Sequence, residues 1–587
     1  MIRHLLAAVA ALLVCAGPAL AQPKAEKEPS PDTDRKIQEA VQREIAKVKE
    51  QLRDEVRAEI QGAQAAAEFM GTPDQKKKLE LLELNGYFRF RYDLFLRMGL
   101  GQGVDPMGYS LFPRFVVNPD ASGTQSTANM RFRLDPTFNV SEEIRIRSTF
   151  DFLDNVILGS TPAGPPRNDM DFTSGSQLPP MPGVNTFANA FAVKRVWAEV
   201  QTPIGLISFG RMPSEWGLGI FANAGNGLDD DLGDNVDRLQ IALPLPSVLG
   251  GLTLIPLIDY GSAGLTTDSV SPATSDRNTG QGVDLDPADD VGALGIKAVH
   301  LDSPDEVRRK LEKGVTVLNY GTWFSYRSQR YAFPFYKLGG DPYQDSYTYT
   351  PPGSTTPITV PLPPVKRGAS SYTLDLWFKV ETRRLKVELE LVGITGRIAD
   401  ATTIPGFPLG PVDILQAGGA VRGDYKFGEG RMMVGLEGGI ASGDSAPGFG
   451  NYPGRTQCAY GVDSSNNPIA VCSPQQAGNI DGRQYGYGEP KPSWNNFRFN
   501  PAYRVDLILW RELIGGVTDG WYAKPTLRWE ILPGLVGTAQ IVYSQALLAS
   551  STPNTRHTPL GVEADLGLSY TSDDGFVARL EYGYLQP

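Results

Sequence analysis

The stretch "NMRFRLDPTFNVSEEIRIRSTFDFL", residues 129–153, constrains the fold more than any other. Met130, Phe132 and Leu134 alternate with Arg131, Arg133 and Asp135. After the polar turn Ser141–Glu143, Ile144, Ile146, Phe150 and Phe152 alternate with Arg145, Arg147, Thr149 and Asp151. Side chains of a strand point to opposite faces in turn, so a period of two predicts a hairpin with one apolar and one arginine-rich face. The question is which solvent each face meets.

The same design recurs. In 86–96, Phe88, Phe90, Tyr92, Leu94 and Leu96 oppose Arg89, Arg91 and Asp93. In 372–393, Leu374, Leu376, Phe378 and Val380 lead to a return strand with Leu385, Val387, Leu389 and Leu391 outward. Residues 561–585 repeat it with Val562, Leu566, Leu568 and Tyr570, then Phe576, Leu580 and Tyr582. With ten weaker segments the pattern predicts about 17 strands, each near the ~9–11 residues a tilted membrane strand needs. Short turns at Val140–Glu143, Thr202–Pro203, Glu381–Arg384, Gly428–Gly430 and Leu532–Gly534 interleave with long loops at 97–128, 154–190, 261–291, 327–369 and 442–520. That asymmetry is the outer-membrane barrel pattern, and a lipid-spanning sheet must close. The fold class expected is an all-β transmembrane barrel of about 16–18 antiparallel strands over 86–587, with long extracellular loops. Its apolar faces meet outer-membrane lipid. Tyr87, Trp377, Trp529, Tyr570 and Tyr582 at strand ends suit interfacial girdles or the lumen.

The N-terminus differs. Residues 1–21 have a basic start, an apolar middle and the small-residue end Ala19-Leu20-Ala21, which predicts a signal peptide cut after Ala21. A lipoprotein signal using Cys15 is the alternative, against which Val14 stands at the preceding position. A polar linker, 22–33, precedes a helical segment within 34–70. Its stripe, Ile37, Val41, Ile45, Val48, Leu52 and Val56, recurs every three or four residues. A stripe this narrow and β-branched suits a short periplasmic coiled coil that would make a homotrimer. A helix lying on the barrel is the other reading.

Inside a barrel of this size an aqueous channel is expected. Arg89, Arg91, Arg131, Arg133, Arg145 and Arg147 fall on three neighbouring strands and should all point inward. They would build a basic wall that favours anions, or pair with Asp93, Asp135 and Asp151. Cys458 and Cys472 remain after signal removal, and in an oxidising compartment they are expected to close a loop as a disulfide. The acid-rich stretches 227–238 and 284–290 lack EF-hand spacing and read as solvated loops rather than cation sites. A formal charge of −11 argues against nucleic acid as a partner. No cofactor or metal is expected. Of three histidines, His4 leaves with the signal. A hydrolase centred on His300 or His557 is the enzymatic alternative, and non-enzyme is the expectation.

The layout resembles the trimeric porins of Gram-negative outer membranes, notably the phosphate-selective type with a periplasmic coiled coil. "GYFRFRYDL" enters a large barrel, and "KRVWAEVQTPIGLISFGRMPSEWG" (194–217) looks like a porin strand-turn-strand ending in Gly210-Arg211. "LEGGIASGD" (436–444) is similar to a segment of porin-like and alginate-export-like barrels, and the overall look is that of deltaproteobacterial porin-like barrels. The resemblance implies an outer-membrane location and the fold more than a substrate, with the barrel-assembly machinery as partner; the function expected is passive diffusion of small hydrophilic solutes, with the lumen arginines setting charge selection toward anions. A dedicated polysaccharide or specific-solute conduit and a plugged structural or adhesion barrel are the alternatives. Two features depart from it. The chain ends Tyr584-Leu585-Gln586-Pro587 without a terminal aromatic residue, and the strand count is odd. Either 499–510 hides a further strand or the closing C-terminal strand is missing.

Overall fold

The structure, a computed structural model, describes residues 81–98, 124–157, 191–248, 250–262, 290–331, 366–400, 411–444, 493–552 and 556–587. It also describes the short segments 266–270, 277–281, 346–349, 358–361, 456–462, 468–474, 485–486 and 489–490, and residue 449. All of them lie in the second of two units, Ala58–Pro587. The signal-peptide, linker and coiled-coil expectations fall outside the described residues.

Seventeen long strands make the wall. The first five are β1 (Leu82–Leu96), β2 (Thr124–Asn139), β3 (Ile144–Ile157), β4 (Phe191–Thr202) and β5 (Gly205–Pro213). Then come β6 (Asn235–Leu245), β7 (Leu252–Ser262), β8 (Val291–His300), β9 (Val317–Gln329), β10 (Ala369–Glu381) and β11 (Leu385–Ile398). The last six are β12 (Val412–Phe427), β13 (Met432–Ala441), β14 (Gly520–Leu532), β15 (Leu535–Ala546), β16 (Pro559–Thr571) and β17 (Val577–Gln586). Each pairs antiparallel with the next, from β1–β2 through β16–β17. An eighteenth member of the sheet is only Ser493–Trp494, parallel to Asp413–Ile414. Among the described residues β1 and β17 each pair along one edge.

Alternation along the strands is preserved. On β1, Phe88, Phe90, Tyr92 and Leu94 are exposed by half or more, while Arg131 and Arg133 on β2 are buried. Phe132 and Ile146 point outward with them. The outer surface is therefore a continuous apolar band, as lipid demands, and the polar residues face in. Short turns at one end alternate with long connections at the other, as the sequence pattern predicts. One short connection, between β8 and β9, contains a helix instead: α1 (Pro304–Glu312), closed by a Ser303/Glu306 capping box. Tyr87 lies on the arginine face, its ring 5.6 Å from the Arg133 guanidinium, and Trp377 is buried. These two line the interior, whereas Trp529, Tyr570 and Tyr582 lie on the outside.

Residues 499–510 do not supply a further strand. They form a turn, then a π-helical turn at Leu509–Ile514, because Asp506 accepts the Trp510 and Arg511 backbone N–H groups and starts a helix-like end. This segment folds into the space enclosed by the sheet. Leu509, Trp510, Leu513, Ile514 and Val517 are buried there against Val392, Ala420, Tyr522 and Val542 of the wall. A second inward segment, the β5–β6 connection, packs Trp216 and Ala222 against Ile255, Val299, Trp323 and Trp377. The space enclosed by the sheet is thus partly filled by its own connections.

Candidate functional site

Each inward segment hangs from a wall carboxylate. Glu390 of β11 accepts the backbone N–H groups of Gly219 at 2.9 Å, Phe221 at 3.3 Å and Ile220 at 3.4 Å. Its neighbour Asp375 on β10 accepts the Trp216 indole N–H at 3.1 Å. Gly217, at φ +58°, turns the chain here, and a Cβ on it would stand 2.6 Å from Glu390 Oε2. Glu563 of β16 grips the other segment in the same way, accepting the N–H groups of Leu507 (2.9 Å), Ile508 (2.8 Å) and Leu509 (2.9 Å). Burying an acid here is tolerable because a row of backbone donors replaces its water.

The two segments are also tied to each other. The Asn500 N–H donates to the Ile220 carbonyl at 2.8 Å, and its side-chain amide donates to Asp234 at 2.6 Å. The decisive tie is ionic. The stretch "GLDDDLG" (227–233) forms a small loop with closely apposed ends, where Gly225 and Gly233 permit a contact that no side chain would. A Cβ on Gly225 would lie 1.8 Å from the Leu232 carbonyl oxygen. The loop projects Asp229, Asp230 and Asp231 into a nest of arginines.

From β1, Arg89 donates to Asp231 at 3.0 Å, and Arg91 donates to Asp231 at 2.7 Å and Asp229 at 3.1 Å. From β2, Arg131 donates to the Asp230 carbonyl at 2.6 Å and pairs with Asp231 at 3.5 Å. From the far segment, Arg511 donates to Asp229 at 3.0 Å, and Arg504 contacts the carboxylate and carbonyl of the same residue. Burial raises the Asp229 pKa, but Arg511, Arg504 and Arg91 outweigh it and hold the carboxyl at about 2. Asp231 is likewise held below the usual range by Arg91 and Arg89, against burial. Burial pushes Glu215, at the root of this connection, up to about 7. Burial also pushes Asp506 up to about 7.

The sequence reading placed six arginines on one wall, and the structure brings three of them, Arg89, Arg91 and Arg131, into this nest. Arg133 sits just below, bidentate to Asp151 at 2.6 and 2.8 Å. Arg147 pairs with Glu199 at 3.0 Å, and Arg145 lies opposite Glu199 in the same ladder, away from the nest. The reading of 227–238 as a solvated outer loop is corrected: the loop is interior, because five guanidiniums offer its carboxylates more than water does. Arg504 and Arg511 were missed, since 499–510 reads as a possible further strand and nothing local links that segment to β1. Cys458 and Cys472 stand directly opposite in the register of a two-stranded ribbon. The stretch 284–289 lies outside the described residues.

Beside the nest, Arg91, Arg511, Asp93, Asp231, Glu512 and Phe95 border a cleft of about 360 Å³. Together these features make a large antiparallel, barrel-like sheet with an apolar outside, a charged inside and inward-folded connections. Several solved outer-membrane proteins match at low similarity. OccK11 (OpdR) of Pseudomonas aeruginosa matches at 10% identity over 86% of this chain and 90% of that one, TM-score 0.38. A BenF-like porin from Pseudomonas fluorescens matches at 10% over 86% and 94%, TM-score 0.38. The trimer form of OmpT, an outer membrane protein of Vibrio cholerae, matches at 10% over 85% and 99%, TM-score 0.28. Likeness at this level carries nothing about solute or assembly. No protein-family model and no curated protein matches the sequence.

Proposed function

We propose that the protein is a constricted channel of the bacterial outer membrane that passes small hydrophilic solutes by diffusion, with carboxylate-bearing anions favoured. It works as a conduit rather than an enzyme, with the short-turn end in the periplasm and the long loops outside. The observation that carries the reading is the convergence of Arg89, Arg91, Arg131, Arg504 and Arg511 inside the sheet, next to a cleft. Planar guanidiniums present paired donors that match a carboxylate, and inside a low-dielectric wall they act over a longer range than in water. The stripe at Ile37–Val56 would hold three copies together, with lipid on the remaining outer faces, and the barrel-assembly machinery would insert them.

Purified protein in planar bilayers under a salt gradient tests this directly. Stepwise openings with a reversal potential on the anion side are expected, and Arg91→Glu should move that potential toward cations. Folded protein that never conducts would support a second reading, a plugged structural or adhesion barrel. The buried cluster around Trp510 and Phe499 inside the sheet favours that reading.

A further inference from the structure

The arginine nest is already balanced in charge. Five guanidiniums (Arg89, Arg91, Arg131, Arg504, Arg511) meet three carboxylates of the loop, Asp229, Asp230 and Asp231. Asp93 on Arg91 and Glu512 on Arg511 add two, so five positive charges face five negative ones. An anion site built by three separate elements is therefore filled by anions of the chain itself. Two features make that filling exchangeable. Asp229 and Asp231 keep 28% of their side-chain surface exposed, so water and solute reach them. The loop that carries them is short with closely set ends, pinched at Gly225 and Gly233. Arg91 and Arg511, both bonded to Asp229, are also the two arginines that border the cleft.

We infer that the 225–233 loop is a built-in carboxylate ligand, and that an anionic solute crosses by exchanging with Asp229 and Asp231 on Arg91 and Arg511. This rests on the channel reading above and adds its mechanism: a pseudo-solute occupies the resting constriction and slows inorganic anions without closing it, and a group that matches a carboxylate's paired oxygens displaces it best. Chloride, a point charge with no second oxygen, cannot bridge Arg91 and Arg511 as Asp229 does through its two carboxylate oxygens. Unlatching also loosens the tie between the two inward segments, because Asp229 joins Arg504 and Arg511 to β1 and Asp231 joins Arg504 to it as well.

The test is the succinate concentration that halves the chloride current through single channels, with uncharged succinamide as control. In D229N/D231N the competing ligand is gone, and half-block should fall about tenfold, the scale of one charge-assisted hydrogen bond. Chloride selectivity should rise, and succinamide should remain without effect. D229E/D231E should behave as wild type, and R91Q/R511Q should lose succinate block. If the double Asn variant does not reach the heat-modifiable folded form, D231N alone should give the same direction at smaller size. An unchanged half-block in a conducting Asn variant overturns the exchange mechanism. Wild-type protein that does not conduct at all overturns instead the channel reading on which it rests.

Discussion

Replacing Glu563 by alanine strips the acceptor from three backbone N–H groups at once, those of Leu507, Ile508 and Leu509. Each buried donor left without a partner costs about 1–3 kcal/mol, so the local penalty is roughly 3–6 kcal/mol once water enters. Against it stand Leu509, Trp510, Leu513 and Ile514, all buried, at about 1.5–3 kcal/mol each, or roughly 6–12 kcal/mol together. Burial wins, so the segment stays docked while its 505–509 end loosens. Hydrogen exchange in detergent-solubilised protein should show the Leu507, Ile508 and Leu509 amides exchanging about 100-fold faster or more. Leu513 and Ile514 should change little, and heat-modifiable migration should be normal. Glu563→Gln keeps one oxygen acceptor where Oε1 serves Leu507 and Ile508, so only Leu509 should accelerate. Wild-type exchange at all three amides in a folded alanine variant would refute the anchoring argument.

Other outcomes follow from the same geometry. Gly225→Ala drives a Cβ into the Leu232 carbonyl in a left-handed backbone, which should cost about 1–3 kcal/mol locally. It should withdraw the aspartates from the nest, and the reversal potential should shift toward anions without loss of the barrel. For pH, Glu215 and Asp506 have folded pKa values of about 7, above their ordinary 4.5 and 3.8. The folded state holds their protons more tightly, so their support is complete below about pH 4 and is lost as pH rises to 7. Inward-segment amides should therefore be better protected at pH 5 than at pH 8. Asp229 runs oppositely: its support is present above about 4 and lost as pH falls through 2. Deleting 34–70 should turn a cross-linkable trimer into monomers with unchanged single-channel conductance. Maleimide should find no reactive thiol at Cys458 or Cys472 until reductant is added.

The period-two pattern determined the wall. Phe88, Phe90, Phe132 and Ile146 lie outside and Arg89, Arg131 and Arg133 inside because a strand has only two faces, and lipid accepts only one kind. Turn positions and the strand count near seventeen were equally local, since each short turn sits between its own two strands. The content of the interior was not local. Nothing in "GLDDDLG" states whether water or arginine surrounds it, and nothing in "YRVDLILWREL" announces a π-helical turn hung from a glutamate of β16. Asp229 meets Arg511 across 282 residues of chain. Such pairings depend on how far a curled sheet brings distant strands together and on which backbone donors then need an acceptor. Glu390 and Glu563 show this plainly: each reads in sequence as an inward polar residue among several, and only the enclosed space makes it the peg from which a connection hangs. Local pattern specified a membrane wall with a basic lining; long-range packing filled that lining with the chain's own carboxylates, because desolvated guanidiniums must find partners wherever the fold places them.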